Sequence, residues 1–307
     1  MKRHGSLRSA TASSDVLGTT VSRPTVATLR EHAIRVLSEA GVPTPVVDAD
    51  ILLGHVLGMT RGQVQAKALV TAAVDTEQVL AATEAIERRA TREPVQHITG
   101  VAPFRGLELA VGPGVFVPRP ETEGVVQHAI DALIAVPHPE PLAVDLGSGS
   151  GAIALALAAE VRHAQVVAVE NSPEAFTWTT RNVRRYGDGR VRLVFDDLAT
   201  ALPELDGEVD VVVSNPPYIP QGAVPRDPEV RLFDPAHALY SGEDGLDAVR
   251  SLSLTARRLL KPGGVLVIEH GELQAAAIAD VLRSDGFRAI AAHPDLLGRD
   301  RATTASR

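Results

Sequence analysis

The chain contains no cysteine, which excludes a disulfide scaffold, a thiolate nucleophile and any Cys-ligated metal or iron–sulfur cluster. Aromatic residues are scarce: six Phe, three Tyr and one Trp in 307 residues, too few for an extended base-stacking surface. Positive charge is not in surplus either. Thirty Lys and Arg stand against 38 Asp and Glu, a net charge of -8, which argues against a generic nucleic-acid coat while leaving room for a local basic patch. Long apolar runs are missing. The longest, Ala152 to Ala159, falls far short of the ~20 residues that a membrane span needs. With 45% hydrophobic and 22% charged residues, the remaining class is a soluble, cytoplasmic α/β protein of about two domains.

The texture changes along the chain. Residues 1–23 carry Lys2, Arg3, Arg8, Arg23, five serines and one acid without apolar periodicity. They read as a disordered extension, although a transit peptide shares that composition. From Thr25, apolar residues at Leu29, Ala33, Val36, Leu37 and Ala40 repeat at helical spacing until Gly41 and Pro43 stop the run. A second helix carries Ile51, Leu52, Val56 and Leu57, and a third starts at Asp75 with Gln78 completing a capping box. Residues 24–93 are therefore expected to form a small helical bundle. Five prolines between Pro94 and Pro120, with alternation at Leu107–Val111, predict a β-hairpin linker over 94–120.

Residues 121–307 alternate strand and helix. Strands are expected at Leu142–Leu146, Gln165–Glu170, Arg190–Phe195, Val209–Ser214 and Gly264–His270, with a terminal pair near Phe287–Ala292 and Ala302–Ser306. Helices fit at Ala152–Val161, Pro173–Tyr186, Gly245–Leu260 and Glu272–Ser284. The strands are continuously apolar rather than alternating, which predicts a doubly wound, mostly parallel sheet covered on both faces. A ligand then belongs beyond the carboxyl ends of the strands.

Two motifs sit there. The first, Asp145-Leu146-Gly147-Ser148-Gly149-Ser150-Gly151, joins the first strand of this region to a helix. Its glycines let backbone amides approach a ligand, and Glu170, ending the next strand, can accept from both hydroxyls of a ribose. A dinucleotide fingerprint would read G-x-G-x-x-G; here the spacing is G-x-G-x-G after an Asp, which better suits S-adenosylmethionine, a ligand without phosphate. A plain connecting turn is the alternative. Asp196-Asp197, ending the third strand, offers an acceptor for an adenine amino group, or only a solvated strand end.

The second motif, Asn215-Pro216-Pro217-Tyr218, follows the fourth strand. Consecutive prolines remove two backbone donors and leave carbonyls as pure acceptors on a rigid loop. Asn215 Oδ1 and the Pro216 carbonyl can each accept one N–H of an NH₂ group while Tyr218 packs on the planar group that carries it. Amide and exocyclic amino nitrogens are poor nucleophiles because their lone pairs are delocalised. Holding both hydrogens and aligning the nitrogen with a methyl sulfonium supplies what they lack. The donor's positive charge disappears as the reaction proceeds, so no metal is expected. A Pro-rich structural turn is the competing reading.

Together these motifs resemble the release-factor glutamine methyltransferases of the HemK/PrmC type. The resemblance runs from about Thr25 to Arg301. It includes Glu93-Pro94-Val95-Gln96, Ile98-x-Gly100, Phe104-x-Gly106-Leu107 and, most specifically, Val117-Pro118-Arg119-Pro120-Glu121-Thr122-Glu123. Ala238-Leu239, Gly245-Leu246, Pro262-Gly263-Gly264, Glu269-x-Gly271 and Asp295-Leu296-x-Gly298-Arg299-Asp300-Arg301 complete it. Asn-Pro-Pro-Tyr alone is shared with adenine-N6 methyltransferases.

The resemblance implies a helical substrate-recognition domain over 24–93 and a class I S-adenosylmethionine-dependent methyltransferase domain over 121–307, with a seven-stranded sheet whose terminal strand is antiparallel. It also implies methyl transfer to the glutamine amide in the Gly-Gly-Gln loop of peptide chain release factors, with neither membrane nor nucleic acid as partner. Carried over by motif, Asp145, Gly147, Ser148, Gly149, Ser150, Gly151, Glu170, Asp197, Leu198 and Asn215 bind the donor. Asn215, Pro216, Pro217 and Tyr218 hold the substrate glutamine, with Asn215, Pro216 and Tyr218 catalytic. Three positions depart from the family pattern: Glu170 replaces an Asp, Leu198 an aromatic, and His97, read as a hinge residue, a Tyr. Two other classes compete, a nucleic-acid amino methyltransferase using a patch around Arg181, Arg184, Arg185, Arg190 and Arg192, and a non-catalytic partner of the ribosome or release factor.

Overall fold

Five helices open the described chain: α1 Val26–Glu39, α2 Pro45–Leu57, α3 Arg61–Leu69, α4 Thr76–Ala90 and α5 Val95–Thr99. The computed structural model describes residues 24–70 and 72–307; the expected extension over 1–23 lies outside them. The capping box expected at Asp75 is present, with Gln78 N donating to Asp75 Oδ1 (2.8 Å) and Asp75 N to Gln78 Oε1 (3.1 Å). Helix α3 was not expected. Its sequence is polar and buries only Val64, so periodicity is silent, but its own capping box at Thr60 and Gln63 was legible. The helices enclose two small apolar clusters, around Leu37, Leu52 and Ile86 and around Leu29, Leu53 and Val64.

The segment expected to be a hairpin linker over 94–120 opens with helix α5 and then holds a hairpin, β1 Val101–Phe104 against β2 Leu107–Ala110. It is no loose tether. Phe104 and Leu109 are buried in the cluster that also holds Val125, Leu155 and Val211, and Asn182 ties down both backbone polar groups of Ala110. Next comes α6 Pro120–Ala135, a helix that the Pro-rich run before it disguised. Pro120 occupies its first turn, where a missing N–H costs nothing, and Glu121 and Glu123 face its positive end.

The remaining elements are β3 Leu142–Leu146, α7 Ala152–Glu160, β4 Gln165–Glu170, α8 Pro173–Tyr186, β5 Val191–Phe195, β6 Val209–Ser214, α9 Pro228–Phe233, α10 Asp247–Leu259, β7 Leu260–Glu269, α11 Ala275–Ser284, β8 Arg288–Pro294 and β9 Asp300–Ser306. The seven strands run β5-β4-β3-β6-β7-β9-β8, and β9 alone runs opposite to the other six. This is the class I methyltransferase sheet. Alternate residues face opposite layers: Val211 and Val213 pack toward α6 and α7, Val209 and Val212 toward α10 and α11. That two-sided burial explains the continuous apolar runs. Strand order reverses between β3 and β6, so the loops leaving those strands open a crevice at their carboxyl ends.

Candidate active site

The crevice is a cavity of about 500 Å³, and the sheet lays its wall out in strand order. Leu198 follows β5, Glu170 ends β4 and the glycine loop follows β3; Asn215 follows β6, Glu269 ends β7 and Arg301 lies on β9. The cavity therefore has a glycine-loop side and an asparagine side.

On the glycine-loop side the loop amides expected to meet a ligand are engaged within the protein: Gly147 N and Ser148 N donate to Val169 O (both 2.9 Å), Gly149 N to Glu170, and Gly151 N to Ser148 O (2.7 Å). Gly147, Gly149 and Gly151 adopt φ of 79°, 57° and 82°, a region that side chains resist. A Cβ at Gly147 or Gly149 would meet no atom within 4 Å, so the loop leaves open space for a ligand to approach. Glu170 is 6% exposed and accepts from Gly149 N (2.7 Å), Ser172 N (2.8 Å) and Asn171 N (3.0 Å). Burial raises its pKa, and those amides oppose the rise. Three of roughly four lone-pair positions on the carboxylate are thus filled from within, so a ribose would have fewer free positions than the two-hydroxyl reading assumed. Ser148 is buried with its Oγ unpartnered among the described residues, as a ligand contact would require. Arrayed this way, the loop, Ser148 and Glu170 fit an adenosyl ligand.

Not every expected residue faces the cavity. Gly147, Ser148, Gly149, Ser150, Glu170, Leu198, Asn215, Pro217 and Tyr218 line it; Asp145, Gly151, Asp197 and Pro216 do not. Asp145 is fully buried under the start of α7, where its Oδ2 accepts from Ala154 N at 3.1 Å. Its Oδ1 has no partner among the described residues. Burial, abetted by the charge of Glu170, pushes its pKa up to about 7. Gly151 caps α7 and crowds Thr179. Asp197 holds Asn171 Nδ2 (2.8 Å) and Ala199 N (2.8 Å) on the outer surface, leaving Leu198 to reach the cavity.

The asparagine side is made of side chains from separate segments. Ser214 Oγ donates to Leu146 O at 2.5 Å and fastens β6 to β3 just before Asn215. Beyond it, Ile219 N donates to Leu239 O (2.8 Å), Ser241 N to Ile219 O (2.9 Å) and Gln274 Nε2 to Tyr218 O (3.0 Å). Gly245 passes so close that a Cβ there would lie 2.4 Å from Tyr218 O. Tyr218 is accordingly held from behind. Burial, with the nearby Glu269, pushes its phenol up to about 12, so it stays a neutral hydroxyl. Asn215 Nδ2 lies 3.5 Å from Thr122 Oγ1 at the start of α6.

Several lining residues received no site role from the sequence: Arg119, Thr122, His237, Glu269 and Arg301. All but His237 stand within the stretches that carry the family resemblance, which was their one available signal. Arg119 pairs with the buried Asp234 at 2.5 Å, joining the α6 entry to the segment after α9. His97, read as a hinge residue, is buried in α5, and burial lowers its pKa.

Comparison with known proteins agrees with this geometry. A family profile described as PrmC N-terminal domain matches residues 28–100, and one described as Methyltransferase small domain matches residues 132–261. The release factor glutamine methyltransferase of Streptomyces coelicolor is 50% identical over 276 residues, covering 89% of this chain and 95% of that one. Its counterpart from Bifidobacterium longum is 46% identical over 275 residues, covering 86% and 94%. A 4-amino-L-phenylalanine/4-methylamino-L-phenylalanine methyltransferase of Streptomyces pristinaespiralis is 40% identical over 278 residues, covering 87% and 90%. Matches of this strength run through both the helical region and the sheet, and the chain belongs to the release factor glutamine methyltransferases.

Proposed function

We propose that this protein transfers the methyl group of S-adenosylmethionine to the side-chain amide nitrogen, N5, of the glutamine in the Gly-Gly-Gln loop of a peptide chain release factor. One observation carries the reading: a single cavity joins a carboxylate-anchored glycine loop to an Asn-Pro-Pro-Tyr loop whose asparagine and tyrosine face inward. The donor supplies a methyl group on positively charged sulfur. Gly147 to Ser150 let it lie close against the loop, the unpartnered Ser148 Oγ bonds to it, Glu170 accepts from its ribose, and Leu198 offers apolar contact in place of an aromatic. Asp145 and Gly151 support the loop from behind.

Asn215 Oδ1 accepts one hydrogen of the substrate amide, the other is assigned to the Pro216 carbonyl although Pro216 does not line the cavity, and Pro217 and Tyr218 pack on its plane. Tethering both hydrogens fixes the nitrogen lone pair toward the methyl carbon and favours a pyramidal nitrogen in the transition state. Residues 24–93 present the release factor to this site. Such a substrate places the work in the cytoplasm.

A second reading is favoured by the 4-amino-L-phenylalanine relative: an arylamine NH₂ could occupy the same acceptors. The test incubates the full chain with methyl-labelled donor and, in parallel, a release factor, the same factor with its Gly-Gly-Gln glutamine replaced by alanine, DNA, and 4-amino-L-phenylalanine. Label on the first alone is expected. Label retained by the alanine variant, or carried mainly by DNA or the arylamine, would overturn the proposal.

A further inference from the structure

An asparagine amide can present either its oxygen or its NH₂ to a substrate, and only its neighbours decide which. Three buried polar side chains meet behind the Asn215 amide. Thr122 is 4% exposed on the first turn of α6, and Glu269 is 2% exposed at the end of β7. Asn215 Nδ2 points at Thr122 Oγ1. Both Thr122 and Asn215 share the cavity wall with the Glu269 carboxyl, whose pKa they lower against the rise that burial imposes and whose Oε2 is unpartnered among the described residues.

An ionised carboxylate can only accept, so a Thr122 hydroxyl that turns to it does so by giving up its single hydrogen. The Thr122 lone pair is then free to accept from Asn215, which can offer only Nδ2. We infer that Thr122 and Glu269 are positioning residues: Asn215 Nδ2 donates to Thr122 Oγ1, Thr122 Oγ1 donates to Glu269, and Asn215 Oδ1 is thereby turned toward the acceptor nitrogen. The inference rests on the reading of Asn215 as the amide holder. It also gives work to the Pro-Arg-Pro-Glu-Thr-Glu stretch, whose Thr122 reaches Asn215 across 93 positions of sequence.

The sense of this relay depends on a proton. A protonated Glu269 can donate to Thr122, which then donates to Asn215 and draws Oδ1 away from the cavity. Burial pushes the Glu269 pKa up to about 7, while Thr122 and Arg301 oppose the rise. The other groups facing it are Glu121 from α6, which raises it further, Asn215, and the phenol of Tyr218. His270, next along β7, is turned away, with its ring nitrogens engaged by Gly271 O and Thr303 Oγ1.

The experiment is single-turnover methyl transfer to a release factor, with donor affinity measured alongside. Thr122→Val should slow transfer by about tenfold, the worth of one hydrogen bond, with donor affinity within about twofold. Thr122→Ser, which keeps the hydroxyl, should recover most of the rate. Adding Thr122→Val to Asn215→Ala should cost nothing more, because Thr122 acts only through Asn215. Wild-type transfer should fall as pH drops through about 7, and Glu269→Gln, which has no carboxyl to titrate, should lose that pH dependence. Wild-type rates in Thr122→Val, or an undiminished extra loss on top of Asn215→Ala, would overturn the relay. Wild-type rates in Asn215→Ala would instead remove the reading beneath it.

Discussion

The two sides of the cavity are built by different means. The glycine-loop side is made from one contiguous turn and the ends of two adjacent strands, and its polar contacts are mostly backbone amides. The asparagine side collects Thr122, Asn215, Tyr218, Glu269 and Arg301 from four separate parts of the chain. A backbone site is set once the turn forms and tolerates many side chains. A side-chain site exists only after the whole sheet has closed, and each member needs another to orient it.

Among the described residues, the ion pairs from the helical region to the sheet region fall on the asparagine side. Arg89 and Arg92 both grip Glu229 of α9, at 2.8 and 2.7 Å, while Arg89 also pairs with the buried Asp48. Asp227 and Val230 of that same segment line the cavity. Removing the region should therefore separate the two sides most sharply. The cut belongs at Gly100, since starting at Arg119 would take Phe104 and Leu109 out of the sheet's core. A fragment of residues 100–307 should bind donor like the whole chain but methylate a release factor more than about a hundredfold less efficiently, having lost the surface that orients it. Equal activity of fragment and full chain would deny residues 24–93 any docking role.

Within the cavity, Asn215→Ala should slow transfer by roughly ten- to hundredfold, since one substrate N–H would stay unpaired in a desolvated place at about 1–3 kcal/mol, with a much smaller effect on donor affinity, to which Asn215 is one contributor among many. The converse change is Glu170→Ala. It should weaken donor binding by about ten- to hundredfold, the worth of hydrogen bonds to a charged acceptor, about 1.5–3 kcal/mol. Saturating donor should then restore most of the transfer rate. Calorimetry that found donor affinity unchanged would remove Glu170 from the binding role.

The contrast also explains what could be read from the chain. Contiguity made the glycine loop legible, and the continuous runs at Val166–Val169 and Val209–Val213 gave the parallel sheet because both faces are buried. Asn215 to Tyr218 were legible for the same reason: four adjacent residues carry one chemical idea. Thr122 and Glu269 were not. A threonine in a first helical turn and a glutamate at a strand end are common, and only β6, β7 and α6 packed together bring them to Asn215. Asp145 erred the other way. Its place before the glycines suggested ligand contact, yet the loop's left-handed turn sends the chain over it and leaves its carboxyl facing Ala154.

That buried carboxyl gives the smallest expected effect and the one most specific to the supporting layer. Burial pushes the Asp145 carboxyl up to about 7 in the folded chain, against the ordinary 3.8 of an aspartate. Between those values the folded chain keeps a proton that the unfolded chain releases, so stability falls as pH rises through this window and levels off above about 7. Glu269, also raised to about 7 by burial, contributes in the same direction. Burial lowers the pKa values of His97, His128 and His270, which acts in the opposite direction below neutral pH, so the Asp145 contribution is read as the difference between wild type and an Asp145 variant. Asp145→Asn keeps an oxygen for Ala154 N–H and removes the buried charge, so it should raise the melting temperature at pH 8 by a few degrees, about 2–4 °C per kcal/mol for a domain of this size, with little change at pH 5.5. Calorimetry at the two pH values reads the difference directly. A melting temperature for Asp145→Asn that falls at pH 8 would mean the carboxylate is ionised and engaged there, and Asp145 would return from the support of the loop to the binding of the donor.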